Sequence, residues 1–304
     1  MNSLFLIGNG FDLAHGMKTS YEHFHQHLKN KYKNSNANCF TPPEAILMEG
    51  GHVFYNQDDV VCFLINIISQ AESKGDKWSD LEFTLGNLHL DEFLNDFIDD
   101  DYKDNGWKSQ VLSSNLAGAV MKIKDYFSEW INSIEIDNIS PKSDFENMIN
   151  KESDFFLTFN YTKTMEMLYK VKNICHIHGK QGEELLFGHG NEKNYYSNYT
   201  ARYVGSENLL QELQSSLRKK TLEAINKNKF FFHRLSNLVS RVYSYGFSFS
   251  EIDQIYIKEI CSRVLTESIT WYLSDYEDAN QRNHIMKVIN LCGFKGEFDT
   301  FHIS

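Results

Sequence analysis

The sequence predicts an α/β fold, a doubly wound and mostly parallel sheet carrying a large helical insertion. Three observations lead there. The chain opens with an apolar run, Leu4-Phe5-Leu6-Ile7, that passes straight into Gly8-Asn9-Gly10 and restarts at Phe11-Asp12-Leu13, the strand, turn and helix start that present backbone N–H groups to phosphate. Short apolar or aromatic runs return after Pro141 and alternate with helical patterns, as a parallel sheet requires. The stretch between them reads as helix alone, which places an insertion between strand one and the rest.

Taken in order, the opening turn is an incomplete fingerprint, because Leu13 stands where the third glycine of G-x-G-x-x-G would fall and Gly16 comes too late. Residues 34–59, rich in Asn, Gly and Asp, read as a long loop. Val60, Phe63, Leu64, Ile67 and Ile68 follow the spacing of an amphipathic helix. Leu81, Leu85 and Leu88 open a second helix ending near Ile98, and Leu116, Val120, Ile123, Phe127 and Trp130 mark a third. Asp99-Asp100-Asp101, with Asp96 and Asp104, reads as a solvated loop between helices. Strands are predicted at 155–159, 174–177, 185–187 and 242–247, and helices around 209–225, 252–264 and 279–291. The organisation expected is one domain over 1–304, with an α/β core from 1–59 and 141–304 and a helical insertion over 60–140.

Composition narrows the function. The 304 residues are 41% hydrophobic and 14% aromatic, enough for a substantial core. With 41 acidic against 30 basic residues, the net charge of -11 argues against wide phosphate-backbone contact, so no nucleic-acid partner is expected. Cys39, Cys62, Cys175, Cys261 and Cys292 form no C-x-x-C pair, so neither a zinc ribbon nor a disulfide framework is expected. With no leader-like N-terminus and no long apolar run, the expected setting is cytoplasmic, away from membranes. No Walker motif is present.

In a doubly wound sheet, ligands bind outside the carboxyl ends of the strands. The residues that end the predicted strands are Gly8-Asn9-Gly10, Thr158-Phe159-Asn160-Tyr161-Thr162, His176-Ile177-His178-Gly179, Gly188-His189-Gly190-Asn191 and Gly246 through Asp253. His178 is a base suited to neutral pH, and Asn160 offers both donor and acceptor without charge. Gly8 and Gly10 would bring backbone N–H groups to phosphate, with the Asn9 amide beside them.

Each residue also has a plainer reading. His178 can simply end a strand, and Asn160 can cap a helix beginning near Thr162. His176 and His178 lie two apart, yet nothing completes a metal set, so no metal is expected. His23 and His27 read as a solvated helix face. Asp12 suits a helix's first turn but would repel a pyrophosphate placed there, so it either takes a ribose hydroxyl or marks a less anionic ligand. Glu82, near Trp78, is either a surface acid or a residue reaching over the cleft. Gly246-Phe247-Ser248-Phe249-Ser250 lacks the second glycine of a nucleophile elbow, and Ser250 with Asp253 reads as a capping arrangement.

The run Gly8-Asn9-Gly10-Phe11-Asp12-Leu13 with Ala14-His15-Gly16 and Thr19-Ser20-Tyr21 resembles the opening of the bacteriophage abortive infection AbiH family. Trp78-Ser79-Asp80-Leu81-Glu82, Phe159-Asn160-Tyr161-Thr162, His176-Ile177-His178-Gly179, Gly246-Phe247-Ser248 and Glu251-Ile252-Asp253 resemble its later blocks, in order. More distantly, the order of motifs is similar to sirtuin-like NAD-hydrolysing domains of phage defence systems, which implies a Rossmann-like, sirtuin-like core. That similarity implies Asn160 over the nicotinamide-side ribose, His178 as the catalytic histidine, and Gly246 and Ser248 near the adenosine ribose. Gly8, Asn9, Gly10, Phe11, Asp12, Thr158, Tyr161 and Gly188 complete the implied nucleotide-binding set.

The function so implied is phage defence by binding NAD or a related nucleotide and hydrolysing it at the nicotinamide–ribose bond. An NAD-like nucleotide, a homo-oligomer and a phage-derived trigger are the implied partners. Asn9 stands where alanine is usual and Asp12 where serine is usual, which feeds the alternative of a non-catalytic nucleotide-sensing module.

Overall fold

The computed structural model describes residues 2–36, 39–72, 81–88, 106–194, 206–236 and 238–303. Trp78, Ser79, Asp80 and the acidic stretch around Asp99 lie outside the described residues. The chain divides into two compact units. Met1–Thr19, Ile131–Leu186 and Lys220–Ser304 make the first, and Ser20–Trp130 with Phe187–Lys219 the second.

The first unit is built on six parallel strands: β1 (Asn2–Ile7), β4 (Phe155–Thr158), β5 (Asn173–His176), β6 (Val239–Tyr245), β7 (Thr270–Ser274) and β8 (Glu297–Phe301). Their order across the sheet is β5-β4-β1-β6-β7-β8. Counting only these strands along the chain, that is 3-2-1-4-5-6, the doubly wound order with its switch point between β1 and β6.

Both faces of the sheet are covered, which is why the inner strands read as unbroken apolar runs. Phe5, Ile7, Phe156, Tyr243 and Tyr245 pack on one face with Phe11, Phe145 and Tyr169. Leu4, Leu6, Leu157, Val242 and Trp271 pack on the other with Tyr256, Ile260 and Ile289. Register is held by rings as well as by hydrogen bonds. Phe5 stacks on Phe156 at 5.2 Å and on Tyr243 at 4.9 Å, and Tyr243 stacks on Tyr272 at 4.5 Å, so one aromatic row crosses four strands. Each such pair adds about 1 kcal/mol beyond its area burial.

Four expectations about elements change, one being that the helical pattern around 209–225 is two helices, Glu207–Leu217 and Thr221–Lys227. Leu185 to Phe187 joins no strand. Thr270–Ser274 and Glu297–Phe301 are strands that the apolar patterning does not reveal. The third helical pattern is two helices, Gly106–Met121 and Ile123–Ser133.

In the second unit lie helices Tyr21–Lys31, Gln57–Glu72, Leu81–Gly86, Gly106–Met121 and Glu207–Leu217 and the greater part of Ile123–Ser133. A small hairpin, β2 (Ile46–Leu47) with β3 (Val53–Phe54), sits inside the predicted long loop. Its core brings Phe24 against Trp130 at 5.2 Å, and Phe127 stacks on Phe187 at 4.1 Å. Phe187 is thus buried by ring packing, which an apolar run alone does not distinguish from strand burial. His27 is not a purely solvated group: it meets Glu129 at 3.2 Å, as Lys31 does at 2.6 Å. Ser20 and His23 form the capping box of the first of these helices.

Candidate functional site

The strand register brings the candidate residues to one level. Ile7 lies opposite Thr158 on one side and Tyr245 on the other, and Thr158 lies opposite His176. Gly8, Asn160, His178 and Gly246, each just past the end of its strand, therefore leave a single carboxyl edge of the sheet.

At the switch point the two turns touch backbone to backbone. Gly8 N–H donates to the Tyr245 carbonyl at 3.0 Å, and Gly10 N–H donates to the Gly246 carbonyl at 2.9 Å. A Cβ on Gly8 would fall 2.3 Å from the Gly246 carbonyl oxygen, and one on Gly10 would fall 2.6 Å from the Gly246 Cα. The expectation that these two N–H groups face phosphate is not met, because β6 and the turn after it already take both. Phe11 N–H is likewise given to the Gly8 carbonyl, and its ring is fully buried between Phe145, Tyr169 and Tyr245. Phe11 is a core residue. Asn9 is exposed on the same turn.

Asn160 is held from two directions. Its backbone N–H donates to the Thr158 hydroxyl at 3.1 Å, and its side-chain Nδ2 donates to the Gly8 carbonyl at 3.0 Å. Thr158 is buried and serves this turn. Asn160 caps no helix; the next helical turn, Met165–Tyr169, is π-helical and starts after Thr164. Its Oδ1 is buried without a hydrogen-bond partner among the described residues.

His178 stands in an aromatic surround. Phe159 and Tyr256 meet its ring edge-on, each at 5.5 Å, and Tyr161 lies at 6.2 Å. The Tyr161 hydroxyl donates to the Leu186 carbonyl at 3.0 Å, which fixes that ring. His178 Nε2 lies 3.5 Å from Asp253 Oδ1, and both side chains are nearly buried. Ser250 makes no backbone cap; its hydroxyl donates to Asp253 Oδ2 at 3.0 Å. Asp253 is a site residue that sequence reasoning passed over, since Ser and Asp three apart suit a cap equally well.

The loop from Gly246 to Ser250 carries two left-handed residues, Gly246 at φ 64° and Phe249 at φ 55°. A left-handed aromatic residue is a strained choice, held here by burial of the Phe249 ring against Phe247 at 4.7 Å. Ser248 between them is exposed.

Behind the edge, on the α1 side (α1 being Asn9–Ala14), is a buried polar cluster. Thr162 Oγ1 donates to Asp12 Oδ2 at 2.5 Å, and Thr164 Oγ1 donates on to Thr162 at 2.9 Å. Burial pushes the Asp12 carboxyl up to about 6, against the pull of Thr162, Thr164, Asn160 and His176. Asp12 thus lies beneath the surface, as buried as His178. His176 meets the Asn160 carbonyl with Nδ1 at 3.2 Å and Glu166 with Nε2 at 2.9 Å. Burial raises the Glu166 carboxyl, but the hydrogen bond and charge of His176, with Lys180, bring it below its ordinary range. His176 and His178 are therefore drawn to different carboxylates. Among the described residues no three His, Cys, Asp or Glu side chains group as a metal site.

His15, one turn on from Phe11, has a fixed tautomer. Its Nδ1 can only donate to the Phe11 carbonyl, at 2.7 Å, so neutral Nε2 accepts from the Tyr169 hydroxyl at 2.6 Å, and that oxygen accepts from Lys142 N–H at 2.8 Å. Burial lowers the His15 pKa and raises that of Tyr169 to about 12, as this neutral chain requires.

Gly188 and Glu82 belong to the second unit. Glu82 forms an ion pair at 3.1 Å with the buried Lys219, and its carboxylate also accepts from Gly188 N–H at 3.5 Å. Neighbouring His189 donates from Nε2 to the Gln214 carbonyl and accepts from Asn191 N–H at Nδ1; burial lowers its pKa to about 4. No helix among the described residues is long and apolar enough to cross a membrane.

A family model described as bacteriophage abortive infection AbiH matches residues 4–275. The chain belongs to the AbiH family. The matched span of this AbiH chain runs from β1 through β7 and so includes Gly8, Asn160, His178, Gly246 and Asp253. No curated protein sequence and no solved structure matches it.

Proposed function

We propose that this AbiH-family chain acts in abortive infection by binding an NAD-like nucleotide at the carboxyl edge of the sheet and hydrolysing its nicotinamide–ribose bond. One observation carries the reading: the same edge holds a histidine backed by a carboxylate, His178 with Asp253 at 3.5 Å, and an asparagine whose Oδ1 is buried without a partner among the described residues. An open acceptor on Asn160 suits a sugar hydroxyl, and a histidine base suits activation of water. The distant sirtuin-like order of motifs supports the same pairing of residues.

In this reading His178 takes a proton from water as the water oxygen bonds to the anomeric carbon. The glycosidic electron pair leaves with neutral nicotinamide, ADP-ribose is the second product, and the proton passes to solvent. Asn160 holds a ribose hydroxyl. Anchoring of the pyrophosphate falls to groups other than the spent N–H donors of Gly8 and Gly10, with the exposed Asn9 and Ser248 on the adjoining turns.

The test is chromatography of full-length protein incubated with NAD. Nicotinamide appears with the native chain and is lost in His178→Ala and Asn160→Ala variants that stay folded. Unchanged NAD with the native chain, with nucleotide binding retained, would favour a second reading, a non-catalytic sensor. That reading draws on the burial of His178, which is 2% exposed. Calorimetry followed by recovery of an unaltered ligand identifies a sensor.

A further inference from the structure

We infer that Asp253 is the positioning residue of His178, fixing its proton on Nε2 and thereby assigning the basic lone pair to Nδ1. The inference rests on the hydrolytic reading for its purpose, though not for its geometry.

The geometry starts with one turn of chain. Asp253 closes the short 3-10 turn Glu251–Asp253, with its N–H given to the Ser250 carbonyl at 3.0 Å. The α-helix Gln254–Arg263 comes directly after it. Three residues on, Tyr256 comes from the same helical face and meets the His178 ring edge-on. One helix start thus supplies both the carboxylate and one wall of the ring's surround. Phe159 and Tyr161, from the loop after β4, supply the others.

A carboxylate needs such company where it stands. Asp253 is 7% exposed, and a charge so buried is costly unless it is paired and hydrogen-bonded. Ser250 gives Oδ2 a hydroxyl proton, and Oδ1 faces the imidazole Nε2 at 3.5 Å, an ion-pair distance longer than a hydrogen bond. A carboxylate only accepts, so the nitrogen it faces is favoured in its N–H form. A fixed tautomer makes the other nitrogen the base, the division of labour by which a carboxylate orients a catalytic imidazole. Among the described residues, titratable groups that meet the ring include Asp253, Tyr161 and Tyr256.

The test uses the full chain, labelled with nitrogen-15, and long-range proton–nitrogen spectra of its histidines. His178 is assigned by the signal missing from His178→Gln. The native chain shows the Nε2-protonated form, Asp253→Asn loses that preference, and Asp253→Glu restores it at least in part. Should Asp253→Asn fail to fold, Ser250→Ala, which removes only the hydroxyl that anchors Oδ2, weakens the preference without abolishing it. In turnover, Asp253→Asn lowers kcat for nicotinamide release by about 100-fold or more with KM little changed. An unchanged His178 tautomer in Asp253→Asn overturns the inference, whatever the turnover. A tautomer that depends on Asp253 in a chain releasing no nicotinamide upholds it and fails the hydrolytic reading alone.

Discussion

Gly10 and Gly246 are locked to each other: the N–H of Gly10 donates to the Gly246 carbonyl at 2.9 Å, and Gly246 sits at φ 64° with its α-carbon where a Gly10 side chain would go. The contact closes the switch point with main chain on both sides. Gly246→Ala would put a Cβ 2.2 Å from the Phe11 nitrogen, in a left-handed conformation besides. We expect a loss of more than ~3 kcal/mol, read from urea unfolding. Gly16, also left-handed at φ 75° but with nothing within 4 Å of a Cβ, is the control. Gly16→Ala should cost only about 1–2 kcal/mol.

Asp12 makes stability fall as pH rises. Its folded carboxyl titrates at about 6 against an ordinary 3.8, so the folded chain holds the proton more tightly. The contribution is fully present below pH 3.8 and is lost as pH climbs through 6, a difference of about 3 kcal/mol. Asp12→Asn should remove that decline while keeping an oxygen for Thr162. Unfolding curves of both chains between pH 4 and 7 check it; parallel profiles would refute the assignment.

Glu166 acts in the opposite sense. Its folded carboxyl lies below the ordinary 4.5, so its contribution is present above that pH and disappears as pH falls through the folded value. Glu166→Gln should be the less stable chain at pH 7 and should approach the native chain in acid. Thermal scans at pH 7 and in the acid range settle the sign.

Tyr169 links helix and loop through one hydroxyl that accepts from Lys142 N–H and donates to His15. Tyr169→Phe keeps the buried ring and strands both partners. The expected cost is about 1–3 kcal/mol, seen as a lowered melting temperature. A melting temperature equal to the native one would show that the chain of bonds does not contribute.

The parts of this fold that are legible in sequence are those buried on both faces. Leu4 to Ile7, Phe155 to Thr158 and Val242 to Tyr245 announce themselves because nearly every position is apolar or aromatic. Glu297–Phe301 does not, since it is the sheet's edge and interleaves Glu297, Asp299 and Thr300 with its two phenylalanines. Thr270–Ser274 is short and lies between two helical patterns that draw the eye. The edge residues Asn160 and His178 are legible because they stand just past the carboxyl ends of two strands that are themselves easy to find. Asp253 is missed because a serine three residues ahead of an acid has the same local appearance whether it caps a helix or supports a carboxylate. The true partner of Gly8 and Gly10 is missed for a different reason: Gly246 is remote in sequence, and only strand pairing brings it near.

The strand order has a consequence in time. β1 is synthesised first and is central, yet its neighbours are β4 on one side and β6 on the other, so it waits for chain made much later. A growing chain that has reached β5 carries His178 with no carboxylate behind it and no second turn against Gly8 and Gly10. The carboxyl edge around His178 is therefore completed only after residue 253 has been made, so its parts come together late in synthesis.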